Sequence, residues 1–261
     1  MRKGGKKMKR KIVGLCVCML VIATAVPAVG TINKNIKGVN VQSQNRDVEW
    51  NLTYDRGEFD EFRHITQTVP DKGYICCGIT EESDNYYVFL VKLDATGKEE
   101  WHVVNYDLNG TLVDPYDMEV RAFQIFQTRD GGFLVLGSSV ISVEVQGETY
   151  WVQVGYLWKI NTTGTTEWLQ QYYNIDEQSV DVPYYFVETS DGYVVTGFRA
   201  YYELTGGIID IVGYILKTDA DGNPEWDETY DAGGDDYLTS ICITSDDGYL
   251  MTGWVDSTSV H

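Results

Sequence analysis

One ten-residue block recurs three times in this chain with its punctuation in place: KLDATGKEEW ends at Trp101, KINTTGTTEW at Trp168 and KTDADGNPEW at Trp226. Each block opens on a lysine (Lys92, Lys159, Lys217) and carries a glycine at the same internal position (Gly97, Gly164, Gly222). Self-similarity at fixed spacing describes one supersecondary unit copied and stacked, so that neighbouring copies bury a core no single copy could form. This constraint outranks local propensity.

A second block keeps the same register. Tyr74, Phe133, Tyr193 and Tyr249 each follow a glycine, and four positions later come Gly78, Gly137, Gly197 and Gly253. Upstream lie Thr68, Thr128, Thr189 and Thr244, joined to the aromatics by short turn-like segments rich in Asp and Gly. Between these markers run apolar stretches such as YICCG, FLVLG and IDIVGYILKT. Apolar runs of this length, bounded by Asp and Gly turns, are strand signals. The expected fold is all-β: a β-propeller-like array of four-stranded antiparallel blades over residues 49–261, with units starting near 50, 101, 168 and 226. Three units are complete and one is incomplete. Such an array is either a fragment of a larger propeller or a small ring completed by a strand from 36–48.

The repeated residues have structural work within such a unit. Gly97, Gly164 and Gly222 supply a turn conformation that other residues disfavour, while Asp94, Asn161 and Asp219 hydrogen-bond the turn backbone. Trp50, Trp101, Trp168 and Trp226 are expected to dock between neighbouring blades, each ring removing about 150–250 Å² from water.

The first 28 residues set the expected address. Seven basic residues (Arg2, Lys3, Lys6, Lys7, Lys9, Arg10, Lys11) precede an apolar run from Ile12 to Ala28, the pattern of a secretory signal peptide cleaved after a small residue. As a helix that run would span about 26 Å, short of a bilayer core of about 30 Å, which favours removal over a retained anchor. Residues 29–48 then form a linker or an N-terminal strand. Export would strip away those basic residues and leave a chain more acidic than its formal charge of −19. Phosphate binding needs a basic footprint, so nucleic acid is excluded as a partner. Cys76, Cys77 and Cys242 would remain, and adjacent Cys76 and Cys77 point to opposite faces of a strand, so no disulfide framework is expected. Sequons at Asn51, Asn109 and Asn161 are candidate glycosylation sites on a secreted or cell-surface protein.

The block ending at Trp101 resembles the tryptophan-docking motif of the pyrroloquinoline-quinone dehydrogenase propellers, in which an Asp, a Thr-Gly turn and a Trp recur in every blade. Here the spacing from Asp94 to Trp101 is one residue shorter. A closer similarity is to the tandem repeats of secreted surface proteins of archaea and bacteria, which carry the DGGY-like and DADGNxxW patterns. That resemblance spans about residues 49–261 and implies a β-propeller, with almost nothing about catalysis.

Catalytic and metal motifs are sparse. Asp219, Asp221 and Asn223 alternate like the start of a calcium loop, but Pro224 stands where the loop requires glycine. His64, His102 and His261 form no zinc spacing, and no GxSxG elbow occurs. Catalytic and metal residues are therefore assigned as none, and no cofactor is implied. Loop length carries the functional signal. The segments Tyr106–Thr128 and Gly137–Lys159 are much longer than Tyr54–Thr68 and Gly78–Lys92, while the other connections barely change. Antiparallel geometry puts the two variable connections at one end of every blade. There the insertions bring Tyr116, Tyr150, Trp151, Tyr201 and Tyr202 beside acidic residues, the expected ligand site for a carbohydrate or another surface protein. The expected function is a noncatalytic recognition, adhesion or structural scaffold, the alternative being an extracellular propeller enzyme (glycoside hydrolase or quinone-dependent oxidoreductase). Association with another chain is expected if the array is open.

Overall fold

A computed structural model describes residues 12–15, 53, 59–83, 85–111, 120–145, 147–174, 177–203 and 207–256 of the 261. The leader over 1–28 (apart from 12–15), the strand expected within 29–48, Trp50, Asn51 and Tyr116 lie outside the described residues.

The described chain is all-β, with antiparallel sheets and no helix. After β1 (Ile12–Leu15) the first meander comprises β2 (Asp60–Gln67), β3 (Tyr74–Glu82), β4 (Asn85–Leu93) and β5 (Glu99–Thr111). The second comprises β6 (Arg121–Gln127), β7 (Phe133–Val145), β8 (Glu148–Ile160) and β9 (Thr166–Asn174). The third comprises β10 (Ser179–Glu188), β11 (Gly192–Glu203), β12 (Gly207–Asp219) and β13 (Pro224–Tyr230). A last hairpin, β14 (Asp235–Ile243) and β15 (Tyr249–Asp256), has β1 as a parallel neighbour along β15. The second and third meanders join edge to edge through Asn174 with Ser179 and Tyr173 with Val180. The sheets do not close on themselves.

Hydrogen bonding phases the units differently from the sequence blocks. Each Trp-bearing strand closes the sheet of the lysine before it, as in the pairing of Lys92 with Trp101 and Lys159 with Trp168. The strand ending at the repeated Thr opens each sheet. Both readings describe the same succession of strands, cut at different points.

Apolar alternation on these strands buries both faces of the inner sheets. Ile75, Cys77 and Leu90 of the first meander pack against Ile125, Phe133 and Trp158 of the second. Leu134, Leu136 and Leu157 meet Phe186, Tyr193 and Leu216 of the third. Val194 and Ile215 meet Leu238, Ile241 and Met251 of the last hairpin.

One local device recurs in all four units. The opening strand carries a bulge at the same place, between Phe62 and His64, Ala122 and Gln124, Pro183 and Tyr185, and Leu238 and Ser240. Opposite each bulge stands a repeated glycine. A Cβ on Gly78, Gly137, Gly197 or Gly253 would come within 1.8, 1.8, 1.9 and 1.9 Å of the carbonyl oxygens of Glu61, Arg121, Val182 and Tyr237. Only glycine lets the bulged backbone approach so closely, which explains why this position keeps its register through the chain.

Candidate functional site

The two ends of the sheets are chemically distinct. At the constant-turn end each block lysine is buried among oxygens. Lys92 Nζ lies 2.6 Å from Asp71 and 2.8 Å from Glu100 and donates to the Leu93 carbonyl at 3.0 Å. Lys159 repeats the arrangement with Asp130 at 2.8 Å and Glu167 at 2.7 Å, and Lys217 with Asp191 and Glu225, both at 3.2 Å. The aspartates are also tied locally, since the hydroxyls of Thr68, Thr128 and Thr189 donate to Asp71, Asp130 and Asp191. The Lys92 ammonium beside it, with the Thr68 hydroxyl, pulls Asp71 down to about 2. Asp130 and Asp191 are lowered too, hydrogen bonds from lysine and threonine outweighing the desolvation that opposes them. Burial works against the Lys92 ammonium, but Asp71 and Glu100 prevail and its pKa rises.

The adjoining turns behave as their residues require. Gly97, Gly164 and Gly222 have φ of 82°, 82° and 79°. Asp94 Oδ1 accepts the N–H groups of Thr96 and Lys98, and Asn161 Oδ1 those of Thr163 and Thr165. Asp219 accepts Asp221 and Asn223 N–H and the Asn223 side-chain amide, so both its oxygens hold the turn. Trp101, Trp168 and Trp226 are half-buried and pack against the clusters between consecutive sheets. Trp101 Nε1 donates to the Thr162 carbonyl of the next sheet at 3.2 Å. Its ring lies against Gly164, where a Cβ would be 3.0 Å away, and the Trp168 ring lies against Gly222 at 2.7 Å. The constant-turn end is thus committed to holding sheets together. An open groove of about 560 Å³ there, lined by Val69, Pro70, Phe126, Gln127, Arg129 and Glu188 among others, is bridged by Gln127, which brackets the Val69 peptide.

The opposite end carries the variable hairpins. Tyr150 and Trp151 stand on β8, paired with Val143 and Ser142, and Trp151 is exposed. Tyr201 and Tyr202 stand on β11, where Tyr202 packs against the buried cluster of Val154, Val180, Ala200 and Ile211. Successive strand residues face opposite ways, so Tyr150 and Trp151 are not one patch. Among the described residues no ring contact joins them to Tyr201 or Tyr202. Asn161 holds a turn, and Asn109 lies on β5.

A different set converges at this end. Tyr237 stacks on Trp254 with centroids 4.1 Å apart and planes at 15°, and meets Phe198 edge-on at 5.0 Å and Tyr184 at 6.5 Å. Beside them a cavity of about 100 Å³ is lined by Tyr230, Asp231, Asp236, Tyr237 and Trp254, among others. Asp236 is buried and accepts the Ala232 N–H at 2.7 Å; burial raises its pKa, helped by the like charges of Asp231, Asp210 and Asp235. Burial pushes the Tyr237 phenol up to about 12. The Tyr230 ring packs against the core around Val194, Ile215 and Leu238, and its hydroxyl is enclosed without a hydrogen-bond partner, a costly state for a polar atom. Here aromatic faces and carboxylates meet.

Elsewhere the ionisable groups are used internally. Arg199 holds Asp181 in a two-pronged pair at 2.6 and 2.9 Å, reaches Asp227 at 3.0 Å and lies over the Tyr214 ring. Burial nevertheless raises Asp181. His64 Nδ1 accepts the Ile125 N–H, and burial lowers its pKa. Cys76, Cys77 and Cys242 are free thiols; burial raises the first two, Cys76 to about 11.

Sequence reasoning missed the carboxylate partners of the lysines and the Tyr237–Trp254 pair. A Glu before every block Trp (Glu100, Glu167, Glu225) and an Asp in each turn after the repeated Thr were the signals for the first. The second left none, because its members lie seventeen residues apart and meet only through the hairpin register. No family model and no curated protein matches this chain.

Proposed function

We propose that the protein is a noncatalytic extracellular or cell-surface recognition scaffold, a propeller-like repeat array akin to secreted surface proteins, that holds a carbohydrate at its variable-hairpin end. The observation that carries this reading is the Tyr237–Trp254 stack beside Asp231 and Asp236. Trp254 stacks on Tyr237 and is 49% exposed, which leaves aromatic surface for an apolar sugar face. The cavity has room for a polar substituent rather than a whole sugar ring, and carboxylates accept hydrogen bonds from sugar hydroxyls. The acidic surface and the basic, apolar leader fit an exported protein.

A glycan array, run beside a broad glycosidase panel, tests this. Retention of a glycan that Trp254→Ala abolishes, with no hydrolysis, supports the reading. Turnover in the panel would make it an enzyme. Binding lost in the Trp151, Tyr201 and Tyr202 triple alanine variant but kept in Trp254→Ala would move the site to the longer hairpins.

A further inference from the structure

The four opening strands share one more position, two residues before the residue at which each bulge begins: Asp60 on β2, Val120 just ahead of β6, Asp181 on β10 and Asp236 on β14. A carboxylate placed there is set into the sheet, and Asp181 and Asp236 are only 8% and 5% exposed. Burying an ionised carboxylate is costly unless a donor meets it. In two units the neighbouring strand supplies that donor. Asp60 stands opposite Thr80, whose hydroxyl donates to it at 2.6 Å. Asp181 stands opposite Arg199, which donates to both of its oxygens and lies 4.7 Å from the centre of the Tyr214 ring. The second meander has the buried, apolar Val120 instead.

Asp236 keeps the carboxylate without the donor. The residue opposite is Val255, whose side chain offers no hydrogen bond. Asp236 Oδ2 accepts the Ala232 N–H, while Oδ1 has no hydrogen-bond or ion-pair partner among the described residues. Asp236 and Val255 both line the cavity beside the Tyr237–Trp254 stack. The cation that Arg199 provides in the third meander is therefore missing at a place with open space for one. The charge around it is negative as well, since Asp210, Asp231 and Asp235 act on Asp236, and no lysine or arginine among the described residues pairs with Asp210, Asp231 or Asp236. Nor, among the described residues, do three His, Cys, Asp or Glu side chains converge in a way that could hold a metal ion, so the fitting counter-charge is an organic cation.

We infer that the ligand of this site carries a protonated amine, which enters the cavity and donates to Asp236 as Arg199 donates to Asp181, while the sugar ring that bears it lies on Trp254. The inference rests on the carbohydrate reading of the same site and narrows it to glycans with free amino groups, such as β-1,4-linked glucosamine. The cavity of about 100 Å³ suits a substituent as small as an ammonium. Aromatic walls favour the same group, because the faces of Tyr237 and Trp254 attract a cation. Acetylation removes the charge and adds bulk, so the N-acetylated glycan loses the contact.

Isothermal titration calorimetry of the full chain at about pH 6, where an amine is protonated and ordinary carboxylates are ionised, tests this with three oligosaccharides of equal length: the glucosamine oligomer, its N-acetylated form and the glucose oligomer. The glucosamine oligomer is expected to bind at least about tenfold more tightly than the other two, the worth of one charged hydrogen bond. Asp236→Asn, which keeps the size of the side chain and its bond to Ala232, should erase that advantage and leave the neutral oligomers unchanged. Val255→Arg should do the same, since a guanidinium from the chain itself then holds Asp236. Circular dichroism checks that both variants fold; if Asp236→Asn does not, Val255→Arg decides alone, with Val255→Lys as its substitute. Equal affinity for all three oligosaccharides, or a glucosamine preference untouched in the folded variants, overturns the inference and leaves the carbohydrate reading standing. A lysine oligomer that binds as tightly as glucosamine also overturns it, because charge alone would then suffice. If none of the three oligosaccharides binds, the inference falls and the glycan array decides the broader reading.

Discussion

Replacing Lys159 with methionine should damage the fold less than removing the two carboxylates that hold it. The lysine side chain is 3% exposed, whereas those of Asp130 and Glu167 are 57% and 43% exposed. In Lys159→Met the thioether stem fills most of the volume, and the carboxylates turn to water that already reaches them. The loss is that of solvent-screened charged hydrogen bonds, about 1–2 kcal/mol. In the double variant Asp130→Ala, Glu167→Ala the ammonium stays buried, with only the Ile160 carbonyl at 3.4 Å for company. An uncompensated buried charge costs about 3–5 kcal/mol. Urea unfolding, with the slope unchanged, gives both values. If Lys159→Met proves as harmful as the double variant, the lysine is not the desolvated partner and the reasoning fails.

The same clusters fix an acid limit. The folded-state pKa values of Asp71, Asp130 and Asp191 lie below those of the unfolded chain, so their stabilisation is complete above an unfolded value of about 3.9 and is lost as pH falls, for Asp71 through about 2. The urea midpoint should therefore drop across that window, and less steeply in Asp71→Asn. Gly137→Ala puts a methyl 1.8 Å from the Arg121 carbonyl, and should either straighten the bulge or cost more than about 3 kcal/mol. Gly147→Ala, at a φ of 87° but with open space around it, is the control and should cost about 1 kcal/mol.

Turn chemistry is local, and so it was legible in the chain alone. Gly97, Gly164 and Gly222 take the left-handed conformation, and Asp94, Asn161 and Asp219 fold back on their own backbones, because those interactions span only a few residues. The order of strands followed for the same reason: alternating apolar runs between turn signals leave an antiparallel meander as the shortest route. Which end of the sheets varies in length was equally open to inspection.

What the tertiary structure decided are the meetings across strands. Gly78 and its counterparts are required by a bulge on the neighbouring strand, and Lys92 finds Asp71 twenty-one residues earlier. Trp151 and Tyr202 carry the expected chemistry, yet strand alternation and packing keep them apart. Tyr237 and Trp254 are brought face to face by a hairpin register, shifted by the bulge between Leu238 and Ser240, that no spacing in the sequence displays. A one-residue shift in pairing changes the face on which every later side chain emerges, so a contact of this kind exists only once the strands are paired.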